Sequence, residues 1–159
     1  MAQLNSRPLV LREKLHPSIN PDQISNLVEL FYERISTHPN LGPVFRRHVV
    51  DDWVVHLNKM KAFWRSVLLR TGEYKGKPVL AHLKINGLSA SHFQEWLILF
   101  SDTAAECFTS EAAVLVEESA RRIATSLWLS RSPDPFASPP EWIAVNTETG
   151  KQPIHGDTQ

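Results

Sequence analysis

Apolar residues in this chain recur every three or four positions in one stretch after another. No stretch of similar length alternates in the two-residue rhythm of a half-buried strand, so the periodicity commits the chain to helices. "NPDQISNLVELFYERIS" opens with Asn20 as an N-cap, Pro21 at the first helical position and Asp22 in the first turn. Ile24, Leu27, Val28, Phe31 and Ile35 share its apolar face, and His38-Pro39 stops it. "NLGPVFRRHVV" reads as a turn-rich corner with at most a short helical piece. Asp51 or Asp52 can cap the next helix, which runs to about Arg70 and ends at Thr71-Gly72. After the loop "EYKGKP", Pro78 starts a short helix, "PVLAHLKI", closed by Asn86-Gly87. Ser91 and Gln94 have the spacing of a capping box for "HFQEWLILFSDTAAECF", where Phe93, Trp96, Leu97, Phe100, Ala104 and Cys107 share a face. A last helix over 111–130 turns Leu115, Val116, Ala120, Ile123 and Leu127 inward. The expected class is all-α, with about five helices.

At 159 residues this is one domain with room for a substantial core. The boundaries expected are an N-terminal arm over 1–19, a helical domain over 20–131 and a flexible C-terminal tail over 132–159, rich in Pro and polar residues. Lys plus Arg balance Asp plus Glu at 17 each, which argues against a dedicated nucleic-acid binder. No apolar run approaches the roughly 20 residues of a membrane span, and the N-terminus lacks the apolar stretch of a secretory signal. Cys107 is the only cysteine, so neither a disulfide framework nor a cysteine-based zinc site is expected. The plain reading is a cytoplasmic protein.

Seven histidines invite a metal reading. His16, His38 and His48 lie beside proline, turn or basic residues, His155 is in the tail, and His92 opens a helix. None pairs at the i,i+3 or i,i+4 spacing that a helical metal site prefers. His56 and His82 differ. In "DDWVVHLNKMKAFW", His56, Met60, Phe63 and Val67 lie along one face, and Trp53, Leu57, Met60 and Trp64 form an adjoining stripe. His82 has Val79 and Ile85 one turn to either side. Each histidine alone reads most simply as a core imidazole bonded to a backbone carbonyl. Together, with five tryptophans in the chain and no nearby carboxylate or thiol, they suit a flat apolar cofactor. A lone imidazole ligand and an apolar pocket are what haem iron requires.

These residues carry a resemblance. "LFYERI", "LGPVF", "W..H...M..FW" at 53–64, "Y.G.P...H" at 74–82 and "HFQEWLILF" at 92–100 occur in order, with gaps similar to those of the group III truncated haemoglobins. The likeness runs from about Asn20 to Leu129, and the glycine pairs of the other two groups are absent. It implies the shortened globin fold, a two-over-two helical sandwich around a haem. It implies His82 as the proximal iron ligand, Tyr32 and Trp96 as distal donors to a bound ligand, and His56 as a distal gate. Phe31, Phe45, Met60, Phe63 and Phe93 match positions that wall the haem. Tyr74, Lys59, Lys77 and Arg65 are candidates to reach the propionates, though a solvated charged surface explains them equally well. No C-x-x-C-H occurs, so haem b would be held without covalent attachment.

The function so implied is binding of O2, CO, NO or other small haem ligands. The same donors would serve O2-dependent NO dioxygenation or peroxide reactivity. Turnover would need a reductase, and no stretch here resembles one. A dedicated peroxidase would want a carboxylate strengthening the proximal imidazole, and none lies near His82 in the sequence. The competing reading is a cofactor-free helical interaction domain in which His56 and His82 are core residues.

Overall fold

The computed structural model describes residues 13–49, 52–78, 88–132, 134, 136, 138, 140 and 141. The described residues form five helices and no strand: α1 (Pro21–Thr37), α2 (Leu41–His48), α3 (Trp53–Leu69), α4 (Ala90–Cys107) and α5 (Ser110–Arg131). None is long and apolar enough to cross a membrane. The short helix expected to start at Pro78 lies, from Val79 onward, outside the described residues, as do His82, Trp142 and His155.

Local chemistry sets most of the boundaries. Asn20 Oδ1 accepts from the Gln23 N–H at 2.9 Å, and Gln23 Oε1 accepts from the Asn20 N–H at 3.0 Å. Two otherwise orphaned donors at the start of α1 are thereby satisfied. His38 ends α1, and its Nδ1 accepts from the N–H groups of Asn40 and Leu41 at 3.2 and 3.1 Å, so one imidazole closes one helix and opens the next. Gly42 sits where α2 meets the last turn of α1. A Cβ there would stand 3.0 Å from the Ser36 carbonyl oxygen and 3.1 Å from that of Ile35.

Of the two aspartates considered for α3, Asp52 is the described cap, its side chain accepting from the Val54 N–H at 3.1 Å. Arg70 leaves α3 in the left-handed region at φ 61°, one residue ahead of the expected Thr71-Gly72 stop. The capping box expected from Ser91 and Gln94 is replaced by one built on Ser89. The Ser89 N–H donates to His92 Nδ1 at 3.0 Å, so α4 begins at Ala90 with an imidazole in the usual place of a carboxylate.

α1 packs on α2, α3 and α4, and α4 packs on α5. The pair α1/α3 thus stacks on the pair α4/α5 as the expected two-over-two sandwich. Ile24, Leu27, Ile35, Phe31, Leu68 and Phe100 lie at its centre, each at most 1% exposed. Each such side chain contributes about 1.5–3 kcal/mol by burial. On α5 the buried seam is Ala112, Val116, Ala120, Ala124 and Leu127, and its three alanines leave room for α4 to pack close. Leu115, expected inside, is only half-buried. Ahead of α1, Ile19 is fully buried, and the Leu15 N–H donates to the Leu68 carbonyl at 2.9 Å. Residues 15–19 therefore close over the end of α3. Arg34 bridges α1 to α4, donating to both Glu106 oxygens at 2.8 Å and to Thr103 Oγ1 at 3.1 Å.

Candidate functional site

Successive residues of a helix point about 100° apart, so Phe31 and Tyr32 leave α1 in different directions. Phe31 turns towards α4, where its ring lies edge-on to Trp96 at 5.6 Å and to Phe100 at 5.2 Å. Tyr32 turns towards the corner between α2 and the start of α3. There its ring meets Phe45 at 5.8 Å, Trp53 at 5.8 Å and His56 at 5.1 Å, all edge-on. Burial pushes the Tyr32 phenol well above the ordinary tyrosine range, and the neighbouring Tyr74 phenol adds to the shift. Tyr32 is therefore a neutral O–H donor in a dry corner. His56 closes that corner, with its Nε2 shut off from solvent.

A second group of rings continues along the sandwich. Trp64 stacks on Phe100 at 4.8 Å, and Phe100 stacks in turn on Trp96 at 5.3 Å. Phe63 lies edge-on to Trp64 at 5.3 Å and to Tyr74 at 5.1 Å. The Tyr74 N–H donates to Ser66 Oγ at 2.9 Å, and the phenol lies over Gly76, where a Cβ would strike its hydroxyl. The absence of a side chain at 76 is thus what lets Tyr74 fold down onto Phe63. Phe93, on the first turn of α4, meets Trp128 of α5 at 5.7 Å.

The covering of α3 is uneven. Trp64 and Leu68 are buried, whereas Leu57, Met60, Phe63 and Val67 are only half-covered by protein. Opposite Phe63 and Val67 stand Ile123 and Leu127 of α5, and the space between is a largely apolar cleft of about 280 Å³. Pro78, Arg122 and Ser126 complete its walls. An apolar helix face half-left by protein, fronting a cleft just below the ~300–1,000 Å³ typical of ligand pockets, fits a flat apolar group.

The structure therefore brings Tyr32, Phe45 and His56 together and sets Phe31 beside Trp96. Met60 and Phe63 stand on the half-covered face, Tyr74 stands behind Phe63, and Phe93 lies at the far end against Trp128. His82, expected as the iron ligand, is outside the described residues. Lys59 and Lys77 are exposed, and Arg65 is held by Glu73 at 2.6 Å, which lowers the Glu73 carboxyl. Among the described residues, no three His, Cys, Asp or Glu side chains come together as a metal site. His16, His38 and His92 instead make turn and cap hydrogen bonds.

Sequence reasoning gave Trp53 no place in the site. Its signal was the i,i+3 spacing to His56, which puts both on one side of α3. Ile123 and Leu127, read only as core, also line the cleft; their periodicity could not separate the two roles.

No family model matches the chain. Over 111 residues it is 31% identical to the group 3 truncated haemoglobin of Campylobacter jejuni, an alignment covering 68% of this chain and 87% of that protein. A crystal structure of group III truncated haemoglobin from Campylobacter jejuni matches with a TM-score of 0.69 at 29% identity, covering 74% of this chain and 95% of that one.

Proposed function

The chain belongs to the group III truncated haemoglobins, and from that premise we propose that it binds O2 and other diatomic ligands at a non-covalently held haem b. The family implies a globin-type haem protein; the ligand, the residues and the chemistry are our reading. The observation that carries it is the meeting of Tyr32 and His56 at 5.1 Å, beside the half-covered apolar face of α3.

In this reading His82 would supply the imidazole that holds the iron. Phe31, Phe45, Met60, Phe63 and Phe93 would wall the group, and Val67, Ile123 and Leu127 would line the cleft that receives it. Tyr74 sits at the edge, where the propionates would meet solvent. Bound haem would supply a ferrous iron able to take up a diatomic molecule. The Tyr32 O–H donates to that ligand, because the buried phenol keeps its proton. Trp96 is the second donor, its indole braced by the stack on Phe100. In a pocket of low dielectric each such bond counts for more than in water. His56 acts as the gate, since an imidazole at the edge of the apolar stripe can rotate towards solvent. The same donors support O2-dependent NO dioxygenation or peroxide chemistry, for which turnover requires an electron donor.

The test is reconstitution with haem. A Soret band that shifts with CO is expected, and His82→Gly should lose stable haem or recover it only with added imidazole. A chain that stays colourless would return His56 and His82 to the core of a cofactor-free interaction domain. Unchanged haem retention in His82→Gly would move the axial ligand to another histidine.

A further inference from the structure

We propose that Trp53 is a latch on the His56 gate: the stacked indole holds the imidazole inward, and ligand access requires the indole to give way. The proposal rests on the gate reading of His56 given above. Trp53 is the first residue of α3, one turn before His56. The two rings stack at 5.9 Å with 27° between their planes. Helical side chains lean towards the N-terminus, so the imidazole leans over the preceding turn, where the indole lies.

The other edge of the indole rests on Tyr32 at 5.8 Å and 81°. Trp53 therefore touches both the gate and the Tyr32 donor while keeping 37% of its surface exposed. Its neighbours Val54 and Val55 point further out, at 61% and 44%. Among these three residues of the opening turn, the indole alone turns back over the pocket. Asp52 fixes the backbone of that turn through the Val54 N–H. The latch therefore opens by side-chain rotation, with no need to unwind the helix. Trp53 is a positioning residue: it acts on ligand access through His56.

The experiment measures CO association by stopped flow on the haem-loaded full chain, together with the proton shifts of the His56 ring in the CO-bound form. Trp53→Ala should speed association by about fivefold, the shift that one aromatic contact supports. Trp53→Phe, which keeps a flat ring, should stay near the wild type, and Trp53→Leu, which keeps apolar cover but no ring, should behave as Trp53→Ala does. The Trp53→Ala/His56→Ala double variant should be no faster than His56→Ala, because a latch without a gate holds nothing. The His56 ring protons should lose the part of their ring-current shift that the indole adds to that of Tyr32 in the Ala and Leu variants, and keep most of it in the Phe variant. If His56→Ala leaves association unchanged, the gate reading fails and the latch fails with it. If His56→Ala speeds association and neither Trp53→Ala nor Trp53→Leu does, the gate stands and the latch is overturned. Additive effects in the double variant would also overturn it, showing that the indole blocks the path by itself.

Discussion

α3 and the α4/α5 pair are built from similar lengths of apolar-striped helix, yet they end up covered in different ways. On α5 the stripe of Ala112, Val116, Ala120 and Ala124 is at most 1% exposed, closed by the backbone and side chains of α4. On α3 only Trp64 and Leu68 are buried, at 3% and 0% exposed, and Leu57, Met60, Phe63 and Val67 are half-covered. A protein gains about 25 cal/mol for each Å² of apolar surface it buries, so leaving that row half-open forgoes stability. The α4/α5 face is finished by protein; the described residues leave the α3 face half-open, which is what the haem reading requires.

The sharpest way to break this comparison is to damage each side in turn. Phe100→Ala empties the centre of the stack between Trp64 and Trp96 and should cost about 3–5 kcal/mol in the haem-free chain, read from denaturant unfolding. Met60→Ala should cost far less without haem, because its neighbours already leave it half-covered. Equal costs for the two would show that both faces are ordinary core.

A second expected outcome concerns haem itself. Ligand at 100 times its dissociation constant stabilises the folded state by about 2.7 kcal/mol. Amide hydrogen exchange should show that gain concentrated in α3 around Met60 to Val67, with α4 and α5 gaining less. Uniform protection of all three helices would break the distinction between the faces. Met60→Ala should erase part of the haem-dependent gain while leaving the haem-free stability nearly intact.

A smaller effect tests the distal corner. Tyr32→Phe should raise the O2 dissociation rate about tenfold, the equivalent of one lost hydrogen bond of ~1.4 kcal/mol. Trp96→Phe should do the same, whereas His56→Ala should act mainly on association. If His56→Ala speeds dissociation more than either, His56 is the principal donor.

The smallest effect is in the pH dependence of stability. The folded chain holds the Tyr32 phenol above its ordinary range, so above about pH 10 the native state binds more protons than the unfolded one. Stability then falls as pH rises, and Tyr32→Phe escapes that contribution. The difference in unfolding free energy between wild type and Tyr32→Phe should therefore shift against the wild type above that pH. Parallel curves to pH 11 would show that Tyr32 is not held in a dry corner.

Sequence alone determined what depends on near neighbours. The start of α1 at Asn20, the stop at His38-Pro39 and a cap for α3 at Asp51 or Asp52 follow from side chains that reach two or three residues along their own backbone. The apolar faces of α1 and α4 follow from period, and the spacing of five short motifs carried the family, its fold and the haem. Tertiary structure decided the rest. The sequence pointed to Ser91 with Gln94 as the box that opens α4, whereas the folded chain builds it from Ser89 and His92. Ile19 lies before the first helix and is core only because its segment folds back on the domain, Leu15 onto the end of α3 and Ser18 beside Thr109. Period cannot say whether an apolar face will meet protein or a cleft, because that depends on where other helices stop. For the same reason Trp53 was invisible as a partner of the site: its stack on His56 is local, but its meaning comes from Tyr32, delivered by a helix that ends well before it.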